Sequence, residues 1–450
     1  MAEHHPDRET LERFSSGGLH PETGAWIEAH LRSGCAVCQR TVDDLLPSLD
    51  GPPDGGRDWD DDESWRPILS RLEWHRVRIV QEREAASRLT DELLGRTSRE
   101  RQALISPLGP RTRFHTFAVC ERLIERSFEA GFRDPARAIE IAELAIRLAE
   151  GLDADHYGAV AVDLKARAWA YLGNARRISS DLTGAEQALA RAEALAEEGS
   201  ADPLEEARIL DLKASLLSDQ GRFERAADLL DTVIDIYEEI RDPHRKGRAL
   251  ISQALFLSYA GQPERTVERI RQGLDLIDPE EEPRLLLMAR HNLAWALIDC
   301  GRPDEALRQL ESFRHTYGEF PDPWTVLRLN WLEGRIAAGL GRLDEAGRRL
   351  REVRERFIGQ ALGYDASMVT LDLAALYLRE GRTAEVRRLA TEMLPIFLSQ
   401  DVHRQALAAL AAFQRAAEMD RATPGLVHEI AVYLRRARRN PRLTFQGSEG

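Results

Sequence analysis

The sequence predicts an all-α protein, a solenoid of stacked helix–turn–helix units. Two observations predict this fold. Five glycines recur at a spacing of 40 residues, namely Gly221, Gly261, Gly301, Gly341 and Gly381. Between these glycines, apolar residues recur three and four positions apart, which is the period of amphipathic helices. A repeat of this length is typical of supersecondary units that bury their apolar faces only by stacking on one another.

Each recurring glycine is predicted to end the first helix of a unit, where a left-handed residue lets the chain turn. Two further columns keep the same 40-residue spacing. Small residues lie seven positions before the glycines at Ala214, Ala254, Ala294, Gly334 and Ala374. Mostly small residues lie five positions after them at Ala226, Thr266, Ala306, Ala346 and Val386. Side chains of this size allow two helix backbones to cross closely.

The segment around Trp169 resembles the tetratricopeptide repeat. It has the family's Trp, Leu-Gly, Ala, large apolar and Ala pattern at the family's spacings, in Trp169, Leu172, Gly173, Ala185, Leu189 and Ala192. The resemblance extends over residues 115 to 420, roughly two thirds of the chain. It implies a right-handed superhelix whose concave groove binds peptides or partner proteins.

The composition of successive segments predicts the domain organisation. Residues 48–64 are rich in Pro, Gly and Asp and are predicted to be an acidic linker. Helical sequence at 65–114 is expected to cap the apolar face of the first repeat. The full prediction is a zinc-finger module at 1–47, the linker at 48–64, the helical cap at 65–114, repeats at 115–406, capping helices at 407–440 and a disordered tail at 441–450.

Three candidate metal ligands lie close together near the N-terminus, in the pattern His30-x4-Cys35-x2-Cys38. Structural zinc takes four N or S ligands in a tetrahedron, so a fourth is expected from His5 or His4. The alternatives are a redox pair and two incidental cysteines. A thioredoxin-like site needs a strand before the helix, and no strand pattern precedes Cys35. Structural zinc is therefore favoured.

The same stretch is similar to the zinc-finger module of bacterial anti-sigma factors. That family places an N-terminal Cys or His before a His and a Cys-x-x-Cys in a three-helix fold, and His5, His30, Cys35 and Cys38 match those positions. The departure is four residues between His30 and Cys35, where the commonest pattern has three. The resemblance implies a small three-helix module that captures a sigma factor or another regulator.

The tetratricopeptide resemblance also indicates which residues face the groove. The second position of the first helix holds arginine in four units, and further polar and aromatic residues follow on the same side. The predicted groove residues are Arg167, Asn174, Arg177, Arg208, Arg248, His291, Trp295, Arg328, Trp331 and Arg335. Arginine pairs with carboxylates bidentately, so an acidic peptide or protein segment is the expected partner. The alternative is that each arginine pairs with a carboxylate of its own chain on a solvated face.

Composition excludes several function classes. The net charge of −14 argues against a general nucleic-acid binder. There is no apolar run long enough to span a bilayer, and residues 1–7 lack the features of a signal peptide, so a cytoplasmic protein with no membrane partner is expected. No phosphate-binding loop, nucleophile elbow or His-Glu-x-x-His helix is present, so no enzymatic activity is expected.

Together these features predict a bacterial interaction scaffold or regulator in which the repeats hold a partner and a zinc module modulates or docks. Two alternatives stay open. The N-terminal module sequesters a sigma factor and the protein is an anti-sigma regulator, or the chain is an adaptor in a signalling or defence complex.

Overall fold

A computed structural model describes residues 82–107, 109–110, 112–398, 404–438 and 443–445, with the isolated positions 6, 10, 11 and 27. The predicted zinc-finger ligands and the predicted linker at 48–64 lie outside the described residues. Within the described part, the chain is α-helical with one short 3-10 helix and has no strand. The chain divides into two compact units, residues 1–216 and 217–450.

The first unit contains helix pairs with short turns. Its helices are α1 82–94, α2 Ser98–Leu104, α3 Phe117–Gly131, α4 Pro135–Glu150, α5 Ala154–Tyr157, α6 Ala159–Ile178, α7 Leu182–Glu198 and α8 Pro203–Asp219, the last of which contains the boundary. Side-chain caps satisfy several helix starts, since Thr97, Thr116 and Asp181 each accept from a main-chain N–H three residues on. Helices α3, α4, α6 and α7 pack on one another around a core that includes buried Cys120.

The second unit also consists of helix pairs, and its pairs repeat regularly along the chain. Its helices are α9 Phe223–Glu239, α10 Pro243–Ala260, α11 Pro263–Leu274, α12 Pro283–Asp299, α13 Pro303–Phe313, α14 Pro323–Gly339, α15 Leu343–Gly359, α16 Gly363–Arg379, α17 Thr383–Leu398, α18 Arg404–Glu418 and α19 Pro424–Ala437. The 3-10 helix Arg314–Glu319 follows α13. Here α10, α12, α14 and α16 are the first helices of their repeats, and they start at 243, 283, 323 and 363, a spacing of 40 residues.

The recurring glycines adopt the conformation that the sequence predicts. All five have φ between 70 and 78° and follow the first helix of a pair by two residues or fewer. An L side chain is strained in that region and glycine is not, which explains why the turn keeps this residue type. The helical repeat fold is thus confirmed for the part of the chain that the structure describes.

Small residues are buried where paired helices cross. Ala294 in α12 and Ala306 in α13 are fully buried. A Cβ on Gly334 in α14 would lie 3.0 Å from the Leu350 side chain of α15, which is closer than ordinary van der Waals contact. Close crossing of the two helices of a pair is therefore the physical reason for the small-residue column.

The final helix of the second unit is part of its core and does not simply extend the stack. Leu434 and Tyr433 of α19 are buried with residues of α16 such as Val369 and Tyr377. Helix α19 also contacts α10, which belongs to the repeat four before its own in the sequence. This return of the chain encloses one side of the face formed by the first helices.

Candidate functional site

A cavity of about 500 Å³ lies in the second unit, on the face formed by the first helices. Its wall includes α10, α12, α14 and α16 in turn, and α19 closes one side. Its lining residues are Ile251, Ala254, Leu255, Ser258, Tyr259, Thr266, Ile270, Asn292, Trp295, Trp324, Arg328, Trp331, Tyr364, Asp365, Met368, Leu434, Arg435 and Arg438. The volume is within the range of small-ligand sites, so it can accept a few side chains of a peptide.

The 40-residue period explains how this wall forms. Residues at the same position of successive first helices recur side by side along the face. Leu255 and Trp295 are one such pair, and Trp324 and Tyr364 are another. Repetition of the fold therefore brings aromatic residues that are far apart in sequence to one surface.

The aromatic side chains form a contact chain on this wall. The ring of Trp295 meets that of Trp331 edge to face at 4.9 Å between centroids, and Trp331 and Trp324 both contact Phe357. The guanidinium of Arg335 lies 4.4 Å from the centre of the Trp295 ring. Such packing fixes the indoles in place and offers a rigid apolar surface.

Two partly buried carboxylates bond to the predicted groove residues Arg335 and Trp331. Arg335 donates to Asp299 at 2.8 Å, and Trp331 Nε1 donates to Asp372 at 2.7 Å. Burial raises the pKa of Asp299, but Arg335 and Arg435 more than offset this and hold it below its ordinary value. For Asp372, burial outweighs Arg335 and Trp331, so its pKa is raised. Arg335 is therefore occupied by its own chain and orients the tryptophans.

Arg328 differs from the other charged residues of the wall. Among the described residues it has no carboxylate oxygen within 4 Å and no side-chain hydrogen bond. Burial lowers the pKa of its guanidinium, and the charge of Asp365 only partly opposes this effect. Asp365 itself accepts from Arg438 at 2.8 Å. The cavity thus contains a partly buried cation whose hydrogen-bond donors have no partner in the part of the chain that the structure describes.

A smaller cavity of about 120 Å³ shares Asn292, Trp324 and Arg328 with the larger one. His291 and Tyr317 line it, with 2.7 Å between Nδ1 of His291 and the Tyr317 hydroxyl. The Nε2 atom of His291 is buried and has no hydrogen-bond partner. Burial, and secondarily the charge of Arg328, lower the pKa of His291 to about 3, so this residue is neutral at physiological pH.

The predicted groove arginines of the first unit have internal partners. Arg167 is buried, with its Nε donating to Glu205 at 2.9 Å and its Nη1 donating to Glu121 at 3.2 Å. Glu121 also accepts from Arg83 at 3.0 Å. This network joins helices of the first unit. Because these bonds engage its guanidinium, Arg167 is not available to bind a partner.

The remaining predicted groove residues differ in how far they are exposed. Asn174 is buried and accepts from Arg177 at 2.9 Å. Arg208 lies 3.9 Å from Glu205, and the exposed Arg248 lies 3.0 Å from Glu282. Of the predicted groove residues, the structure brings His291, Trp295, Arg328 and Trp331 together at the two adjoining cavities, with Arg335 behind them.

The sequence analysis did not predict that residues at the end of α19 line this cavity. Arg435 and Arg436 lie in the last turn of α19, where basic side chains suit the dipole of that helix. In addition, Arg435 donates to Asp299 at 3.1 Å, and Arg436 donates to the carbonyls of Tyr259 and Ala260 at the end of α10. A cation there is favoured by the dipole of α10. The only signal in the sequence is the run of four arginines at 435, 436, 438 and 439, and this run does not indicate which groups they contact.

The predicted zinc ligands His5, His30, Cys35 and Cys38 are outside the described residues. Within the described ranges, no group of three His, Cys, Asp or Glu side chains could hold a metal ion. No described helix is both long and apolar enough to cross a membrane.

Comparison with known proteins agrees with this architecture. Residues 207–244 and 286–312 match the tetratricopeptide repeat family. These two segments are therefore similar to tetratricopeptide repeats. No curated protein sequence matches the chain.

Two solved structures are similar to the chain. One is the crystal structure of a Rap protein complexed with Competence and Sporulation Factor, with a TM-score of 0.51, 14% identity, and coverage of 71% of this chain and 91% of that one. The other is aspartyl phosphate phosphatase F from Bacillus subtilis, with a TM-score of 0.47, 13% identity, and coverage of 94% and 96%. The first of these similarities supports a shared helical-repeat fold.

Proposed function

We propose that the chain is a protein-interaction scaffold whose tetratricopeptide repeats hold a peptide, or an extended segment of a partner protein, in the cavity of the second unit. The observation that supports this most directly is the cavity itself. Aromatic side chains from four repeats line it, and Arg328 in its wall has no carboxylate oxygen within 4 Å among the described residues. Aromatic residues and arginine are the types enriched at binding hot spots.

Two further facts support the proposal. The wall is built on helices of the repeat, and Asp372 and Arg335 hold Trp331 and Trp295 in place, so the surface is formed before a partner arrives. In addition, the similar Rap protein was crystallised in complex with a factor. No catalytic constellation is needed for this function, and we propose that the chain acts by binding and not by chemistry.

The experiment uses the full chain as bait in a lysate of its source organism, followed by mass spectrometry and affinity measurement. Ser258 lines the cavity, so Ser258→Trp should fill it. Arg348 is exposed on α15 and lies outside the cavity, so Arg348→Trp is the matched control. We expect partner binding to fall about tenfold or more in the first variant and to persist in the second, with equal helical content by circular dichroism. Equal binding by both variants would exclude the cavity as the binding site.

For residues 1–47 we propose, from the sequence resemblance, a structural zinc site formed by His5, His30, Cys35 and Cys38 in a module that captures a sigma factor or another regulator. Recovery of a sigma factor by the wild-type chain but not by the Cys35→Ser, Cys38→Ser double variant would support this. Recovery of one and the same non-transcriptional partner by both would favour the adaptor alternative, in which the repeats do the binding.

A further inference from the structure

The last helix of the second unit, α19, is placed differently from the other second helices. By its position in the repeat it corresponds to α15 and α17. Each of those helices packs between the first helix of its own repeat and the first helix of the next one. Helix α19 packs on α18 of its own repeat, but it also turns back to α16 and to α10. Its C-terminal end therefore lies on the face formed by the first helices, where it lines the larger cavity.

Three arginines at this end of α19 bond to three different first helices. Arg435 donates to Asp299, the last residue of α12, at 3.1 Å. Arg438 donates to Asp365 in the first turn of α16 at 2.8 Å. Arg436 donates to two main-chain carbonyls at the end of α10, at 2.7 and 2.8 Å. The face formed by the first helices thus offers carboxylates and carbonyls at the spacing of a basic helical segment.

The end of α19 occupies this face only in part. It lines the cavity of about 500 Å³ without filling it. The side chains of Arg435 and Arg438 remain 23% and 50% exposed, and Nε of Arg435 is buried without a hydrogen-bond partner in the described chain. Ile430, one turn earlier, is fully buried in the core. Helix ends open more readily than packed helix centres, so the last turn can leave the wall while the rest of α19 stays in place.

We infer that the end of α19 is a built-in occupant of this face, and that a basic segment of the partner protein displaces it and pairs with Asp299 and Asp365. This inference rests on the proposed binding function. The displacing segment has the pattern of Leu434, Arg435 and Arg438, an apolar residue with arginines one and four positions later. A segment without these charges leaves α19 in place, so the helix adds specificity. The charge is opposite to that of the acidic segment expected from the arginine column, and the test separates the two.

The test uses the full chain and a fluorescent synthetic peptide with the sequence of residues 433–439, Tyr-Leu-Arg-Arg-Ala-Arg-Arg. A second peptide has glutamate in place of its four arginines. The variant Arg435→Glu, Arg438→Glu places like charges beside Asp299 and Asp365 and so releases the end of α19; we call it the released variant. Peptide anisotropy is followed as protein is added up to about 1 mM, the order of the effective concentration of a tethered segment.

The released variant is expected to bind the basic peptide with a Kd at least about tenfold lower than that of the wild type, because no tethered copy competes. Arg421→Glu, at an exposed position before α19, is the control and should bind like the wild type. Adding Asp299→Asn and Asp365→Asn to the released variant should remove the gain. If circular dichroism shows that the released variant has lost helix, Arg435→Gln with Arg438→Gln replaces it and should give a smaller gain in the same direction.

Three results would overturn the inference while leaving the proposed function intact. The first is equal binding of the basic peptide by the wild type and the released variant, and the second is no binding by either. The third is a preference of the released variant for the glutamate peptide, which would favour an acidic partner segment. If Ser258→Trp leaves partner capture unchanged, the proposed function itself fails, and the two failures are therefore distinguishable.

Discussion

The guanidinium of Arg436 donates to the main-chain carbonyl of Tyr259, 2.7 Å away, across 177 residues of sequence. It also donates to the carbonyl of Ala260 at 2.8 Å, so it satisfies two acceptors that the end of α10 leaves unpaired. This contact fastens the C-terminal helix to the first repeat of the second unit. The helix in turn forms one side of the candidate binding cavity.

Arg436→Ala is expected to loosen α19. Two hydrogen bonds from a charged group disappear, and the local free energy of opening should fall by about 1–3 kcal/mol. Hydrogen exchange of the amides at 424–437 measures this directly, and we expect protection to drop there and to persist in α14. Arg421→Ala, at an exposed position before the same helix, is the control and should leave protection unchanged. Equal protection in Arg436→Ala would show that packing alone holds the helix.

Arg167→Met is expected to destabilise the first unit. Glu205 and Glu121 would lose a partner in a buried site, and breaking such a pair typically costs about 3–5 kcal/mol. Denaturant unfolding followed by circular dichroism measures the loss. Arg208→Ala is the control, because that side chain is 3.9 Å from Glu205 and more exposed, and it should cost less than about 1 kcal/mol. Similar small effects of both changes would contradict a structural role for Arg167.

His291 is expected to make stability depend on pH. Its folded pKa of about 3 lies below the ordinary value of 6.5, so the unfolded chain binds more protons between these values. The contribution of neutral His291 to the free energy of unfolding is fully present above pH 6.5. This contribution decreases as the pH falls toward 3, by up to about 1.4 kcal/mol per pH unit.

The measurement is the difference in pH dependence between the wild type and His291→Leu, because other groups contribute equally to both. The wild type should lose stability more steeply between pH 6 and pH 4, by up to about 1.4 kcal/mol per unit. An NMR titration of the His291 ring that shows ordinary protonation near pH 6.5 would contradict the buried, neutral state.

Gly341→Ala tests the turn glycine. Its φ is +76° and no atom lies near its missing Cβ, so the cost comes only from the backbone and should be about 1 kcal/mol. Gly359 is the helical control, since it ends α15 with no neighbour within 4 Å. Gly359→Ala should stabilise the chain by up to about 1 kcal/mol. Denaturation midpoints of the two variants should move in opposite directions, and a shift in the same direction would contradict the conformational explanation.

Zinc binding by the N-terminal segment is tested by metal analysis of the full chain. We expect about one zinc per chain in the wild type and none in the Cys35→Ser, Cys38→Ser double variant. The repeats should keep their helical content in that variant. Cys300→Ser, in a different part of the chain, is the control and should retain the metal. Unchanged zinc in the double variant would exclude the proposed ligands.

Much of the fold could be predicted because its determinants are local and repeated. Gly341 marks a left-handed turn through its own backbone preference, and Gly334 marks a close helix crossing through its lack of a side chain. Each signal recurs every 40 residues, so the helix pairs and their period follow from the residues themselves. The sequence analysis also predicted that Trp295 and Trp331 lie on one face, and both residues line the same cavity.

Which arginine is available for a partner was decided only by the tertiary structure. Arg167 and Arg328 occupy the same position of the repeat, yet one is held by Glu205 and Glu121 and the other has no carboxylate within 4 Å in the described chain. Those glutamates lie 38 and 46 residues from Arg167, and the closing helix reaches α10 across 177 residues. A charge is neutralised by whatever side chains packing brings near it. That arrangement depends on contacts between distant helices, which the period of the sequence does not encode.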